Sequence, residues 1–168
     1  MDFINIAKSR SSVRDYNNKK VEPEKLEKIL EAAHVAPTAA NLQPVHLIVV
    51  QSEEGLAKIG KAANIYGTSL AIIVCADHDK AWVRPFDGKQ TGDIDASILT
   101  DHMMLQATEL GLGSLWCGVH PQKHAEKRIA DILGLTNKQI PLNIVYIGHP
   151  AEEPEPRDQY KEKNVHWI

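Results

Sequence analysis

Two short stretches near the start of the chain carry groups that could do chemistry. The first, Arg10-Ser11-Ser12-Val13-Arg14, gathers two guanidiniums and two hydroxyls. Arginine offers forked, charge-assisted donors and serine a rotatable one, a set suited to the oxygens of a small anion such as a phosphate ester. Taken alone, such a cluster near a terminus also fits a solvated surface. The second stretch, Ala36-Pro37-Thr38-Ala39-Ala40-Asn41-Leu42-Gln43-Pro44, is a small-residue turn rich in amide groups. Taken alone, it also fits a helix stop followed by a proline turn. A third candidate is Gly111-Leu112-Gly113-Ser114-Leu115-Trp116-Cys117-Gly118. It follows a helical pattern instead of opening one, and its glycine spacing misses the dinucleotide-binding fingerprint.

Other patterns lead away from chemistry. Gly55-Leu56-Ala57-Lys58-Ile59-Gly60-Lys61-Ala62 has the glycine and lysine spacing of a phosphate-binding loop, but Ala62 stands where Mg²⁺ needs a hydroxyl. Ser52-Glu53-Glu54 reads as a helix start, which puts those glycines inside a helix. His120 and His124 are four apart with no third ligand in view, and read as surface histidines. Cys75 and Cys117 form no C-x-x-C pair and read as buried free thiols, and no Ser-His-Asp or Cys-His set can be assigned. No metal site is expected.

The elements that must position these groups follow from periodicity. Leu26, Ile29, Leu30 and Ala33 share a face of a helix over 23–35, and Ala125, Ile129, Ile132 and Leu133 share one over 121–133. Pro23 and Pro121 sit where first-turn prolines belong, and Gly111 and Gly134 read as stops. Between these two helices lies a third, over 93–110, with apolar residues around most of its circumference, as a helix buried on several sides or at a subunit interface requires. Strands are expected at 46–51, 70–76, 114–119 and 142–147. Helices bound at least three of them, so the class is mixed α and β.

With 168 residues, 43% apolar and 24% charged, the chain has the size and composition of one domain, residues 1–168, with a real core. A net charge of −3 gives no general attraction for nucleic acid or an anionic membrane. The longest strongly apolar run, 70–76, is far too short to cross a bilayer, and no leader pattern is seen, so the protein reads as cytoplasmic. Linker-like composition occurs only at 150–157, ahead of a charged tail.

The order of these parts, phosphate-like cluster, proline-asparagine turn, buried helix, glycine turn and basic tail, resembles the nitroreductase-like family of FMN-dependent oxidoreductases. That resemblance implies an α+β flavoprotein fold, a mixed sheet flanked by helices, in an intertwined homodimer with FMN sites at the interface. It implies that Arg10, Ser11 and Ser12 belong to the phosphate end of FMN and that Arg14 lies near the N1/O2 edge of the ring. A cation there would offset the charge that reduction puts on that edge. Pro37, Thr38, Ala39, Asn41 and Gln43 would line the ring from the partner subunit. Leu115, Trp116, Cys117 and Gly118 would run along the ring by main chain, with an amide facing N5. Arg157 would complete the phosphate site from a tail, about 157–168, that reaches to the other subunit. Glu155 stands where a second basic residue is often found, a contact that Lys161 or Lys163 would have to replace. The implied reaction is ping-pong transfer from NADH or NADPH through FMN to a nitroaromatic, quinone or related acceptor, with no side chain acting as acid or base. An FMN-binding protein without turnover and a different flavin chemistry on the same fold are the alternatives. The loop Trp82 to Lys89 is where substrate-facing variation is expected.

Overall fold

The structure, a computed structural model, describes residues 2–155 and 165–168. Five helices and four strands follow in order: α1 (Phe3–Ser9), α2 (Pro23–His34), β1 (Val45–Val50), α3 (Glu53–Gly60), β2 (Leu70–Ala76), α4 (Gly92–Glu109), β3 (Gly113–Gly118), α5 (Lys123–Leu133) and β4 (Ile140–Gly148). A 3₁₀ turn, Ala39–Asn41, precedes β1. Ser52 caps α3 by accepting from the Gly55 amide at 3.1 Å, so Gly55 and Gly60 are helical residues and not a phosphate loop. The last predicted helix begins later than expected, because Gln122 N–H donates to the Val119 carbonyl and the chain turns before α5 starts.

The strands lie in the order β1-β2-β4-β3, every neighbouring pair antiparallel. The expected mixed sheet is therefore corrected: the parallel contact is an isolated bridge between Ser12 and Ser114. β4 enters between β2 and β3, which makes those two mutually parallel although they do not touch, with α4 crossing between them. Pro141, which has no N–H to donate, sits where the β2–β4 register shifts at Val74/Cys75.

Both sheet faces are covered, and this is why β2 and β4 read as continuous apolar runs. Ile72, Val74, Val145 and Ile147 pack with α2 and α4. Ala71, Ile73, Cys75, Ile144 and Tyr146 pack on the opposite face with α3, α5, Val13 and Tyr16. Alternation along each strand divides the two sets. α4 buries Asp95, Ala96, Leu99, Thr100, Met103 and Ala107 yet leaves Ile94 56% exposed, so its apolar circumference is only partly used within one chain. None of the helices among the described residues is long and apolar enough to cross a membrane.

Candidate functional site

The Arg10–Arg14 segment leaves the end of α1 and lies along the outer edge of β3. Arg10 closes α1, its amide donating to the Ile6 carbonyl at 3.0 Å. Ser12 bridges Ser114, and the Val13 amide donates to the Ser114 carbonyl at 3.0 Å. Farther on, Tyr16 pairs with Pro150, and the Asn17 amide donates to His149. The cluster is therefore tied at both ends to the strands it borders. Gly113 is what permits the close approach: a Cβ there would lie 2.7 Å from Val13 Cγ2.

Backbone groups of one residue point to the same strand edge, and successive residues alternate. Ser114 faces outward to the Arg10–Arg14 segment, so Trp116 and Gly118 also present their N–H and C=O outward. Among the described residues nothing pairs with that part of the edge. Open space continues at Gly118, where a Cβ would meet nothing within 4 Å. Trp116 is exposed and Cys117 half-buried.

Beside this edge is a cavity of about 450 Å³ lined by Ser9, Ser11, Gly111, Gly113, Pro150 and Glu153 among others. The hydroxyls of Ser11 and Ser114 are buried without a partner. Buried hydroxyls are normally satisfied, so two orphans beside an open sheet edge suit a ligand rich in acceptors. The flavin expected from the sequence fits these groups in part: serine hydroxyls at the cavity, then a run of free backbone polar groups along β3, then space without side chains at Gly118. Arg10 and Ser12 do not line the cavity. Ser9 and Glu153 do, and neither stood out in the sequence.

Arg14 is exposed, its Nη1 3.5 Å from the Ser12 carbonyl. Burial pushes the Cys117 thiol up from its ordinary range, and the Arg14 charge opposes that shift. Tyr16 is likewise raised, first by burial and then by Cys117, with Arg14 again opposing. The guanidinium therefore sits close enough to β3 to act on groups at its rim. Cys75, deep in the sheet, is pushed up to about 12 by burial.

Pro37, Thr38, Ala39, Asn41 and Gln43 are elsewhere. Their turn precedes β1, at the other edge of the sheet, and at the end where Val45 faces Ala76 and Ala76 faces Ile140. Ser12 and Ser114 lie at the end where Ser114 faces Ile147. Three strand spacings of ~4.8 Å separate the two edges by about 14 Å, and the length of the strands separates the two ends. One chain thus holds the two halves of the expected site at diagonally opposite corners.

His120 is not a free surface histidine, as its sequence context suggests. It is half-buried, with Nδ1 2.6 Å from Glu126 Oε1 and Nε2 3.3 Å from Asp93 Oδ2, while His78 Nε2 meets Asp93 Oδ1 at 2.9 Å. This cluster joins the ends of β2 and β3 to the start of α4 and α5. No group of three or more His, Cys, Asp or Glu among the described residues is arranged to hold a metal ion. His124 is exposed. Arg157, Lys161 and Lys163 lie outside the described residues. Between Trp82 and Lys89, Arg84 pairs with Asp87 and lies 5.2 Å over the Phe86 ring, which projects into solvent.

A four-stranded antiparallel sheet with helices on both faces and an open edge at β3 defines an α+β fold with a candidate ligand site along that edge. The nitroreductase family's sequence profile matches residues 7–70 and 63–149. This chain belongs to that family. It is 49% identical to a nitroreductase family protein from Clostridium difficile 630, covering 99% of this chain and 94% of that one, with a TM-score of 0.88. An FMN-dependent nitroreductase from C. difficile R20291 is 33% identical, with 98% of each chain covered and a TM-score of 0.86. An FMN reductase [NAD(P)H] from Bacillus subtilis strain 168 is 28% identical over 92% of this chain and 68% of its own length.

Proposed function

We propose that the chain is an NAD(P)H-dependent FMN oxidoreductase that works as a homodimer. The observation that carries the reading is the open edge of β3 flanked by the buried, unpartnered hydroxyls of Ser11 and Ser114. Family membership and the similarity to an FMN-dependent nitroreductase and an FMN reductase support the same cofactor. The chemistry FMN supplies when bound is two-electron transfer, taking hydride from NAD(P)H and passing the electrons to a nitroaromatic, quinone or related acceptor in ping-pong order.

The residues of this chain bind and orient. Arg10, Ser11 and Ser12 hold the phosphate end, with Arg157 as a further cation. Leu115, Trp116, Cys117 and Gly118 lie along the ring, and the outward N–H of Trp116 is a backbone donor placed on the free edge. Arg14 supplies positive charge at the rim, a placement supported by its lowering effect on the Cys117 thiol. Pro37, Thr38, Ala39, Asn41 and Gln43 complete the site of the other subunit, an arrangement favoured by their diagonal distance from Arg10–Arg14 within one chain. A two-fold axis brings unlike corners of two copies together. The surface available for this includes Ile94, Phe3, Ile4 and Val35, all exposed.

The test is a visible spectrum of the purified protein, then anaerobic titration with NADH and with NADPH, then addition of menadione or a nitroarene. A yellow protein that bleaches with one nucleotide and recolours with the acceptor is expected. A colourless protein that takes up no added FMN refutes the cofactor. Flavin that binds but never bleaches leaves a flavin-holding protein without turnover.

A further inference from the structure

The turn 37–43 is held in a backbone shape its residues do not favour. Ala40, Asn41 and Gln43 have φ of 51°, 54° and 50°. Left-handed backbone is uncommon for residues with a Cβ, and it persists only where the surroundings over-determine it. Inside the turn, the Asn41 amide donates to the Thr38 carbonyl, the Gln43 amide to Thr38 Oγ1, and Gln43 Nε2 to Asn41 Oδ1. Those bonds fix its shape but not its place on the molecule.

Placement comes from α4. The Ala39 amide donates to Asp95 Oδ1 at 2.9 Å, across 56 residues of sequence. Asp95 is 1% exposed, and its other oxygen accepts from Thr91 Oγ1 at 3.3 Å. Thr91 is in turn fixed by its amide donating to the Trp82 carbonyl. The same helix start carries Asp93, which holds His78 and His120, the latter two residues beyond the end of β3. A single rigid segment therefore locates the donated turn relative to the strand that this chain keeps for its own flavin.

We infer that Asp95 is a positioning residue for the flavin site of the partner subunit: it sets where the turn 37–43 stands, so that the turn meets a ring lying along the other chain's β3. This rests on the reading that the turn completes the partner's site. Asp95 touches no reactant, and its effect is exerted through the Ala39 amide.

Full-length Asp95→Ala and Asp95→Asn separate this role from mere folding. Asparagine keeps an acceptor oxygen for Ala39 and should bind FMN within about twofold of wild type, whereas alanine should weaken binding about tenfold, the worth of one buried hydrogen bond. The flavin absorption band should shift in the alanine variant and return in the asparagine variant. Equal loss in both, or loss in neither, overturns the proposal. Should Asp95→Ala fail to fold, Thr91→Val removes the hydroxyl that holds the second Asp95 oxygen and should weaken FMN in the same way; an unchanged affinity there also overturns it. Mixed dimers made from two differently tagged chains test the reading underneath. If the turn serves the partner, a dimer with Arg10→Ala on one chain and Asp95→Ala on the other keeps one normal FMN site. A dimer with both changes on one chain beside a wild-type chain then keeps none. The reverse pattern refutes completion by the partner, and the proposal with it, even where Asp95→Ala homodimers bind FMN weakly.

Discussion

Arg14 shows how a charged side chain can act on a site without being buried in it. Its guanidinium is exposed, yet it opposes the upward shift that burial gives the Cys117 thiol. A unit charge ~4 Å from a developing anion is worth about 4 kcal/mol at an effective dielectric of 20. Solvent screening at an exposed guanidinium cuts this to about 1–2 kcal/mol, or about 20–40 mV for a two-electron couple. Arg14→Ala should therefore make bound flavin harder to reduce by that amount, with Arg14→Lys losing much less. A dye-coupled redox titration at equal flavin occupancy checks it, and an unchanged midpoint potential would leave Arg14 with no role at the ring. Arg10→Ala belongs to the other end of the cofactor. It should weaken FMN binding about ten- to a hundredfold through one charge-assisted contact of roughly 1.5–3 kcal/mol, with little change in the melting temperature of the apo protein. The two cysteines make a third residue-scale test. Both thiols are shifted upward by burial, Cys75 to about 12, so neither is appreciably thiolate at pH 8. Iodoacetamide at that pH should modify Cys117 slowly and leave Cys75 untouched until the protein unfolds. Rapid labelling of Cys75 in the native protein would contradict the packing of β2.

At the scale of elements, the site depends on how closely the Arg10–Arg14 segment lies on β3. Gly113→Ala would place a Cβ 2.7, 2.9 and 3.0 Å from Val13 Cγ2, Cβ and Cγ1, atoms of a branched side chain with little freedom to withdraw. The segment must then move off the strand, at a cost of about 1–3 kcal/mol, and both thermal stability and FMN affinity should fall. Gly118→Ala meets nothing within 4 Å and should leave the melting temperature of the apo protein unchanged. Because its outward space is where the ring is expected, it should still weaken FMN. Calorimetry beside fluorescence titration reads the two effects separately; a Gly118→Ala protein with normal FMN affinity would move the ring away from that end of β3. Much of this scaffold was legible in advance. β2 falls on the predicted 70–76, and Ser52 caps the helix that disarms the false phosphate loop. The strand order was not legible, since spacing between apolar runs does not say that β4 inserts between β2 and β3. α1 went unread because its seven residues are too few for a period to register. Asp95 and the Asp93 cluster escaped for a different reason: their partners lie far away in sequence, and an aspartate near a helix start looks like any other N-terminal acid.

Among the described residues, one chain holds the two parts of the proposed site at unlike corners and leaves apolar residues of the α4 flank exposed. Ile94 on α4 is 56% exposed and Val35 at the end of α2 is 72% exposed, while Ile98 and Leu105 line shallow hollows along the same flank of α4. Val165, Trp167 and Ile168 at the end of the chain are exposed as well. The proposed homodimer, in burying these surfaces and completing each flavin site with the partner's turn, would make assembly and cofactor binding one linked equilibrium. Anything that binds the dimer and not the monomer stabilises the dimer by mass action. Added FMN should therefore lower the dimer dissociation constant, and diluting the apo protein should lower its apparent FMN affinity. A charge at the interface should act in the same direction: Ile94→Glu, an exposed position in one chain, should leave the monomer folded while weakening both dimerisation and FMN binding, because burying an unpaired carboxylate against apolar surface is costly. Removing 165–168 should weaken both as well if the tail reaches the partner. Light scattering across a concentration series, with and without FMN, measures the linkage. A monodisperse monomer carrying tightly bound flavin would break it and return the whole site to a single chain.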